Sequence, residues 1–223
     1  MNIRRAPHTW SVTPRRAILI QRALAMRVVR AGRVRPLRLV AGADMAFSKD
    51  GSVCIAGVVV WDVREHCVVE HRTARRPVRF PYVPGLLSFR EAPAVIAALR
   101  KLRSEPDAFM FDGQGYAHPR RFGLACHVGV LLDRPSVGCA KSLLVGACDV
   151  PGPSAGSTAP ITHDAQRIGA AVRTRDRVKP VYVSVGHRIS LDAAIDITIA
   201  CCGGYRLPEP TRLADQLVTR ARS

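Results

Sequence analysis

The chain has 223 residues, 48% hydrophobic and 23% charged, a globular composition that excludes a disordered or fibrous chain and accommodates one domain over residues 1–223. Its 34 Lys and Arg outweigh 17 Asp and Glu, for a formal charge of +17 and an isoelectric point near 10.9. That balance points either to a phosphate-rich partner or to a general richness in arginine. Seven cysteines, none in a CxxC pair, exclude a disulfide framework or zinc site and suit reduced thiols in a cytoplasmic protein. With no cleavable apolar leader and no long apolar run, neither a signal peptide nor a membrane span is expected.

In chain order, residues 1–12 read as a loose basic tail. Thr13–Pro14 is a cap followed by proline at the first helical position, opening an amphipathic helix to about Arg30. Leu37–Ser48, Val53–Trp61 and Cys67–Thr73 read as a three-strand meander, with Lys49–Asp50–Gly51 as its first turn. Arg75, Arg76 and Arg79 lead into Phe80–Pro81–Tyr82–Val83–Pro84–Gly85, where two prolines stiffen a loop around a tyrosine. Such a loop is either a plain connection or an aromatic wedge for a nucleic-acid stack. A helix is expected over Glu91–Arg103, then a strand over Ala108–Phe111, a helix over Arg121–Asp133 and a strand at Ser136–Cys139. Strand, helix and strand in that order make a βαβ unit with parallel strands. Residues 151–160, rich in Pro, Gly, Ser and Ala, read as a mobile loop. Ala165–Arg173 and Val178–Val185 form a candidate hairpin. Ser190 caps a helix over Leu191–Cys202, and Thr211 caps a last one over Arg212–Arg222.

Three acids stand where burial makes them costly. Asp44 interrupts an apolar strand, Glu91 follows Phe89–Arg90, and Asp112 ends the short strand Ala-Phe-Met-Phe beside Gly113 and Gly115. Buried carboxylates either pair with arginines or hold a cation, and Mg²⁺ is held by a few carboxylates together with substrate phosphate. A cation cluster of Asp44, Glu91 and Asp112, with Asp215 from the last helix, suits phosphodiester cleavage. Lys141, at the end of a parallel strand, is placed to balance phosphate charge, and His118 or His187 to contact phosphate or relay protons. Each has a bland counterpart: an ion pair, a helix cap, an ordinary surface acid.

Longer words then carry more. Ala41–Gly42–Ala43–Asp44, Pro81–Tyr82–Val83–Pro84–Gly85–Leu86–Leu87–Ser88–Phe89–Arg90–Glu91 and Asp112–Gly113–Gln114–Gly115 with Ala117–His118–Pro119–Arg120 closely resemble signatures of the endonuclease V family. So do Gly138–Cys139–Ala140–Lys141, Gly186–His187–Arg188–Ile189–Ser190 and Tyr205–Arg206–Leu207–Pro208–Glu209–Pro210–Thr211–Arg212, in family order over about residues 37–220. The resemblance implies an α/β, RNase H-like fold, a mixed five-stranded sheet flanked by helices. It also implies a Mg²⁺-dependent endonuclease, with Mn²⁺ as a substitute, that recognises deaminated bases, chiefly deoxyinosine in DNA. Cleavage would fall at the second phosphodiester bond 3′ to the lesion, leaving 3′-hydroxyl and 5′-phosphate.

By motif, Asp44, Glu91 and Asp112 would be metal-binding and catalytic acids, Lys141 a catalytic lysine and Asp215 a further catalytic acid. Tyr82 would be the wedge, with Pro81, His118, Arg120 and His187 on the nucleic acid. Gly85, Leu87, Gly113 and Gly138 would line the lesion pocket. Two other readings stand beside this one: an inosine-directed endoribonuclease on the same scaffold, and a non-catalytic nucleic-acid binder. A pure binder gains nothing from buried acids beside phosphate. The partner would be damaged DNA or inosine-containing RNA, with no membrane, and the protein a monomer for want of an obvious sticky surface.

Overall fold

The computed structural model describes residue 1 and residues 3–222. Its strands are β1 (Leu39–Phe47), β2 (Val53–Asp62), β3 (Cys67–Pro77), β4 (Ala108–Phe111), β5 (Ser136–Ala140), β6 (Thr158–His163), β7 (Gln166–Val172) and β8 (Val181–His187). They form one sheet in the order β3-β2-β1-β4-β5-β8-β7-β6. The first five make the RNase H-like mixed sheet that was expected. β8, β7 and β6 then continue past β5, so that the sheet has eight strands among the described residues and not five.

The central strands β1, β4 and β5 run parallel, and every residue of β4 and β5 is buried. Continuous apolar runs such as Ala-Phe-Met-Phe suit a strand covered on both faces. β3 lies at the edge, where Glu70, Arg72, Arg75 and Arg76 keep it polar. Helices α2 (Leu87–Leu99) and α3 (Leu124–Leu132) cover the face carrying Ala41, Ala43, Phe109 and Phe111. Helix α4 (Leu191–Ala200) packs on Val40, Met110 and the β5–β8 valines of the other face.

Helix α5 (Glu209–Arg222) shares that second face and lies unusually close to β1. A Cβ on Gly42 would stand 2.1 Å from the carbonyl carbon of Pro210, so only glycine admits the helix there. By the strand's alternation Gly42 and Asp44 share a face, and the close approach carries α5 over Asp44.

Helix α1 (Pro14–Ala25) begins as expected, with the Thr13 hydroxyl accepting from the Arg16 amide, but stops five residues short of Arg30. Several other boundaries differ. α2 starts at Leu87, so Glu91 lies a turn inside it and not at its first residue. Pro93 then falls inside the helix, at a cost offset by burying Phe89, Ala92 and Ile96. α5 starts at Glu209, with Thr211 inside it, its hydroxyl donating to the Pro208 carbonyl. Thr158–Pro160 belong to β6, not to a mobile loop. The preceding residues are tied down by Arg173, whose guanidinium donates to the Pro151 and Gly152 carbonyls. The N-terminal segment is not loose: Ile3 is buried in the α2–α3 core, and His8 and Trp10 stack against Phe89 and His127. The β7–β8 pairing and the Ser190 cap are as expected. Among the described residues no helix is long and apolar enough to cross a membrane.

Candidate active site

The parallel register of β1 and β4 aligns Gly42 with Met110 and Ala43 with Phe111, so Asp44 and Asp112 come next, side by side where the strands end. The Asp112 amide donates to the Ala43 carbonyl at 3.0 Å, carrying the ladder one residue further. Both carboxylates therefore leave the same sheet edge on the α5 face. That is where open parallel sheets hold their ligands. Glu91 approaches the pair from α2, on the opposite layer.

Lys141, the first residue after β5, extends its ammonium into this group. Its Nζ lies 2.5 Å from Asp112 Oδ2, 3.8 Å from Asp44 Oδ2 and 3.3 Å from Asp215 Oδ1. Asp215 comes from α5, so four elements converge on one point.

Burial is the first cause pushing the Asp44 carboxyl up to about 8, and the like charge of Asp112 adds to it, against the pull of Lys141. Burial, then Asp112, likewise pushes Glu91 up to about 8. Asp112 is also raised by burial, against Lys141. For Lys141 burial acts in the opposite sense, but its carboxylate neighbours outweigh it and hold the amine firmly protonated.

The donor set fits a hard divalent cation. Every candidate ligand atom is a carboxylate oxygen, and Glu91 Oε2 is buried with no hydrogen-bond partner. Among the described residues no three such side chains stand as a ready-made cage. The acids gather instead around the Lys141 charge.

Beside the acids lies a cleft of about 380 Å³ whose lining includes Tyr82, Gly85, Leu87, Gly113, Gln114 and Leu124. Tyr82 stands over it on the proline-stiffened loop, 70% exposed. One atom anchors that loop. The Gly85 carbonyl accepts from Gln21 Nε2 at 3.0 Å, His118 Nε2 at 2.9 Å and Arg120 Nη2 at 2.6 Å. His118 and Arg120 thus hold the loop from within. Burial first, then Arg120, lowers His118 to about 4, so it is neutral and carries no charge for a phosphate.

Gln21, buried on α1, also donates to the Phe122 carbonyl and accepts from Arg120 Nε. It was missed in the sequence, where a buried glutamine in an amphipathic helix was the one signal available. Gln114 donates from Nε2 to the Ser142 carbonyl at 2.8 Å, which orients the amide and leaves its Oε1 buried without a partner. Glu91 Oε2 and Gln114 Oε1 are the two such orphan atoms among the described residues, and their residues line the same cleft.

Two expected positions fall elsewhere. His187, at the end of β8, accepts at Nδ1 from the Val29 amide and pairs through Nε2 with Asp133, which joins the α1–β1 connection to α3. It does not reach the cleft, because β8 runs antiparallel to β5 and ends at the opposite edge. Gly138 lies beneath the lining, not in it. A Cβ there would stand 2.4 Å from the Gly115 amide nitrogen, so the residue admits the Gly113–Gly115 backbone against β5. The two thiols near the acids, Cys54 and Cys139, supply no alternative nucleophile: burial pushes Cys54 up to about 12 and Cys139 well above its usual value.

Residues 22–216 match the family model described as Endonuclease V. The chain belongs to the endonuclease V family. An endonuclease V of Roseiflexus castenholzii is 51% identical over 217 residues, 97% of each chain. The crystal structure of endonuclease V from Streptomyces avermitilis superposes with a TM-score of 0.91 at 44% identity, over 99% of this chain and 97% of that one. A Ciona intestinalis endonuclease V, solved with a 24mer DNA containing an inosine followed by a ribo-adenosine, shares 28% identity. It superposes with a TM-score of 0.79 over 90% of this chain and 94% of that one. As a member of this family the chain is a hydrolytic endonuclease.

Proposed function

We propose that this endonuclease acts at deaminated bases, chiefly hypoxanthine in DNA, and hydrolyses the second phosphodiester bond 3′ to the lesion, leaving 3′-hydroxyl and 5′-phosphate. The observation that carries the reading is that both orphan acceptors face one task each in the same cleft: Glu91 Oε2 among the acids, Gln114 Oε1 beside the Tyr82 loop. Asp44, Asp112 and Glu91 would hold a divalent cation, Mg²⁺ or Mn²⁺. When bound, it supplies charge stabilisation at the attacked phosphate and lowers the pKa of water. Lys141 stays protonated among its carboxylates, so it acts as a fixed positive charge for a non-bridging phosphate oxygen and not as a base. Asp215 holds that ammonium from the α5 side.

Tyr82 would fill the gap left by an extruded nucleotide, and the cleft behind it would take the base. Deamination converts the bare N1 acceptor of adenine into the N1–H of hypoxanthine. An oriented, unsatisfied acceptor such as Gln114 Oε1 favours that donor and disfavours adenine presented in the same way.

A second reading, cleavage at inosine in RNA, is favoured by the ribo-adenosine that follows inosine in the Ciona complex. The test is a labelled duplex with one deoxyinosine, incubated with Mg²⁺ or with EDTA, beside an undamaged duplex and a single-inosine RNA. A Mg²⁺-dependent nick directly on the 3′ side of the lesion's 3′ neighbour in DNA is expected. Cutting confined to RNA would replace the first reading with the second, and no cutting of either would refute both.

A further inference from the structure

A second groove, of about 580 Å³, lies on the outer face of α2. Its floor is Pro93, Ile96 and Ala97, and its walls carry Arg4, Arg5, Arg76, Arg79 and Arg100. All five arginines are exposed, and no Asp or Glu lines the groove. Arg4 pairs with Asp133 and Arg76 donates to the Arg75 carbonyl. Arg4, like Arg38, Arg72, Arg188 and Arg212 elsewhere, sits on a carboxylate at 2.5–2.8 Å, whereas among the described residues no ion pair joins Arg5, Arg76, Arg79 or Arg100 to an acid. In the groove a chain with 17 acids places none. With Arg4 paired to Asp133, the other four groove arginines, Arg5, Arg76, Arg79 and Arg100, stand together with no carboxylate lining the groove, and such charges repel one another unless an anion is present.

The groove is joined to the cleft. Arg79 immediately precedes Phe80, whose ring packs with Phe89 and Trp10 under the Tyr82 loop. Helix α2 itself carries Glu91 toward the acids and Arg100 at its far end. From Pro93 to Arg100 the helix advances about 10 Å, and one strand of duplex carries a phosphate per roughly 3.4 Å of axis, so about three phosphates fit that length. We propose that this groove binds the phosphate backbone of the duplex flanking the cleavage site, a sequence-independent contact separate from the catalytic cleft. Positioning contacts of this kind fix register without reading bases. The proposal rests on the nucleic-acid reading above, but not on the lesion or the cut.

The test is therefore binding of the full chain to an undamaged duplex of about 30 base pairs, measured by fluorescence anisotropy across a salt series. The groove variant Arg76→Ala/Arg79→Ala/Arg100→Ala is compared with wild type and with a control that loses the same charge elsewhere, Arg33→Ala/Arg175→Ala/Lys179→Ala. All six side chains are exposed, so both variants should fold, and thermal melting checks it. Each lost phosphate contact lowers the slope of log K against log salt by about 0.9, so the groove variant should lose about 2 to 3 from its slope. Its affinity near 0.1 M salt should fall at least tenfold. A slope equal to that of wild type, or a loss no greater than in the control, overturns the proposal. If neither protein cuts deoxyinosine or inosine, the nuclease reading fails while the slope comparison still decides the groove.

Discussion

At the scale of single residues, the Asp44–Asp112–Lys141 group is where the cleavage chemistry is expected. Replacing either aspartate with alanine removes an expected cation ligand and leaves the Lys141 charge less compensated. Cleavage should fall by roughly 10³-fold or more while lesion affinity, measured with EDTA, changes little. A variant lacking both aspartates that still cuts would sink the assignment. Tyr82 is exposed and touches little, so Tyr82→Ala should leave the melting temperature unchanged. It should weaken lesion binding by about tenfold, the worth of one stacked base. Gln114→Leu removes the orphan acceptor, and inosine affinity should drop about tenfold with binding to undamaged duplex unaltered. Equal losses on both duplexes would show that the amide only props the Ser142 loop.

At the scale of elements, the site depends on three close approaches. α5 reaches Asp44 only because Gly42 carries no side chain, the Gly113–Gly115 turn settles on β5 only over Gly138, and the Tyr82 loop hangs from the Gly85 carbonyl. Gln21 is the pivot of the last. Gln21→Ala removes a donor to Gly85 and to Phe122 and strands part of Arg120, so the loop should loosen without any change among the acids. The expected outcome is a raised KM for lesion substrate with kcat within about twofold, together with faster proteolysis near residues 80–86. A drop confined to kcat would place Gln21 in the chemistry instead of the loop.

At the scale of the whole molecule, the buried acids couple stability to pH. Asp44 and Glu91 ionise near 4 when unfolded but near 8 when folded, so between those values the native state binds more protons. Stability contributed by the neutral forms is fully present below about 4 and is lost as pH rises through about 8. Without divalent cation, the melting temperature should therefore decline from pH 5 to pH 8 so far as these groups dominate. A cation prefers the ionised forms, so the stabilisation by Mg²⁺ should grow over the same interval. A Mg²⁺ effect that is flat with pH, or equal in Asp44→Ala, would contradict the cation site. The charge of +17 adds a salt-dependent attraction to nucleic acid over and above any specific contact.

The parts legible in the sequence were those that local pattern dictates. Apolar runs marked β1, β2 and β4, the Thr13 and Ser190 caps opened their helices, and acids placed against hydrophobic strands betrayed Asp44, Glu91 and Asp112, because burying a charge is too costly to happen without a purpose. Position along the chain offered Lys141 at a strand end, Asp215 on the last helix and Tyr82 in a proline-stiffened loop as candidates, and the family words gave each its expected role. The tertiary structure alone decided what depends on parts of the chain far apart in sequence. It carried β8, β7 and β6 onto the sheet, sent His187 to the opposite edge, and turned His118 and Arg120 inward to hold a loop. It also made Gln21 a partner of Gly85 from 64 residues away. A motif states which side chains are near one another along the chain, but which atom each one meets is set by strand direction and by how closely two backbones can approach.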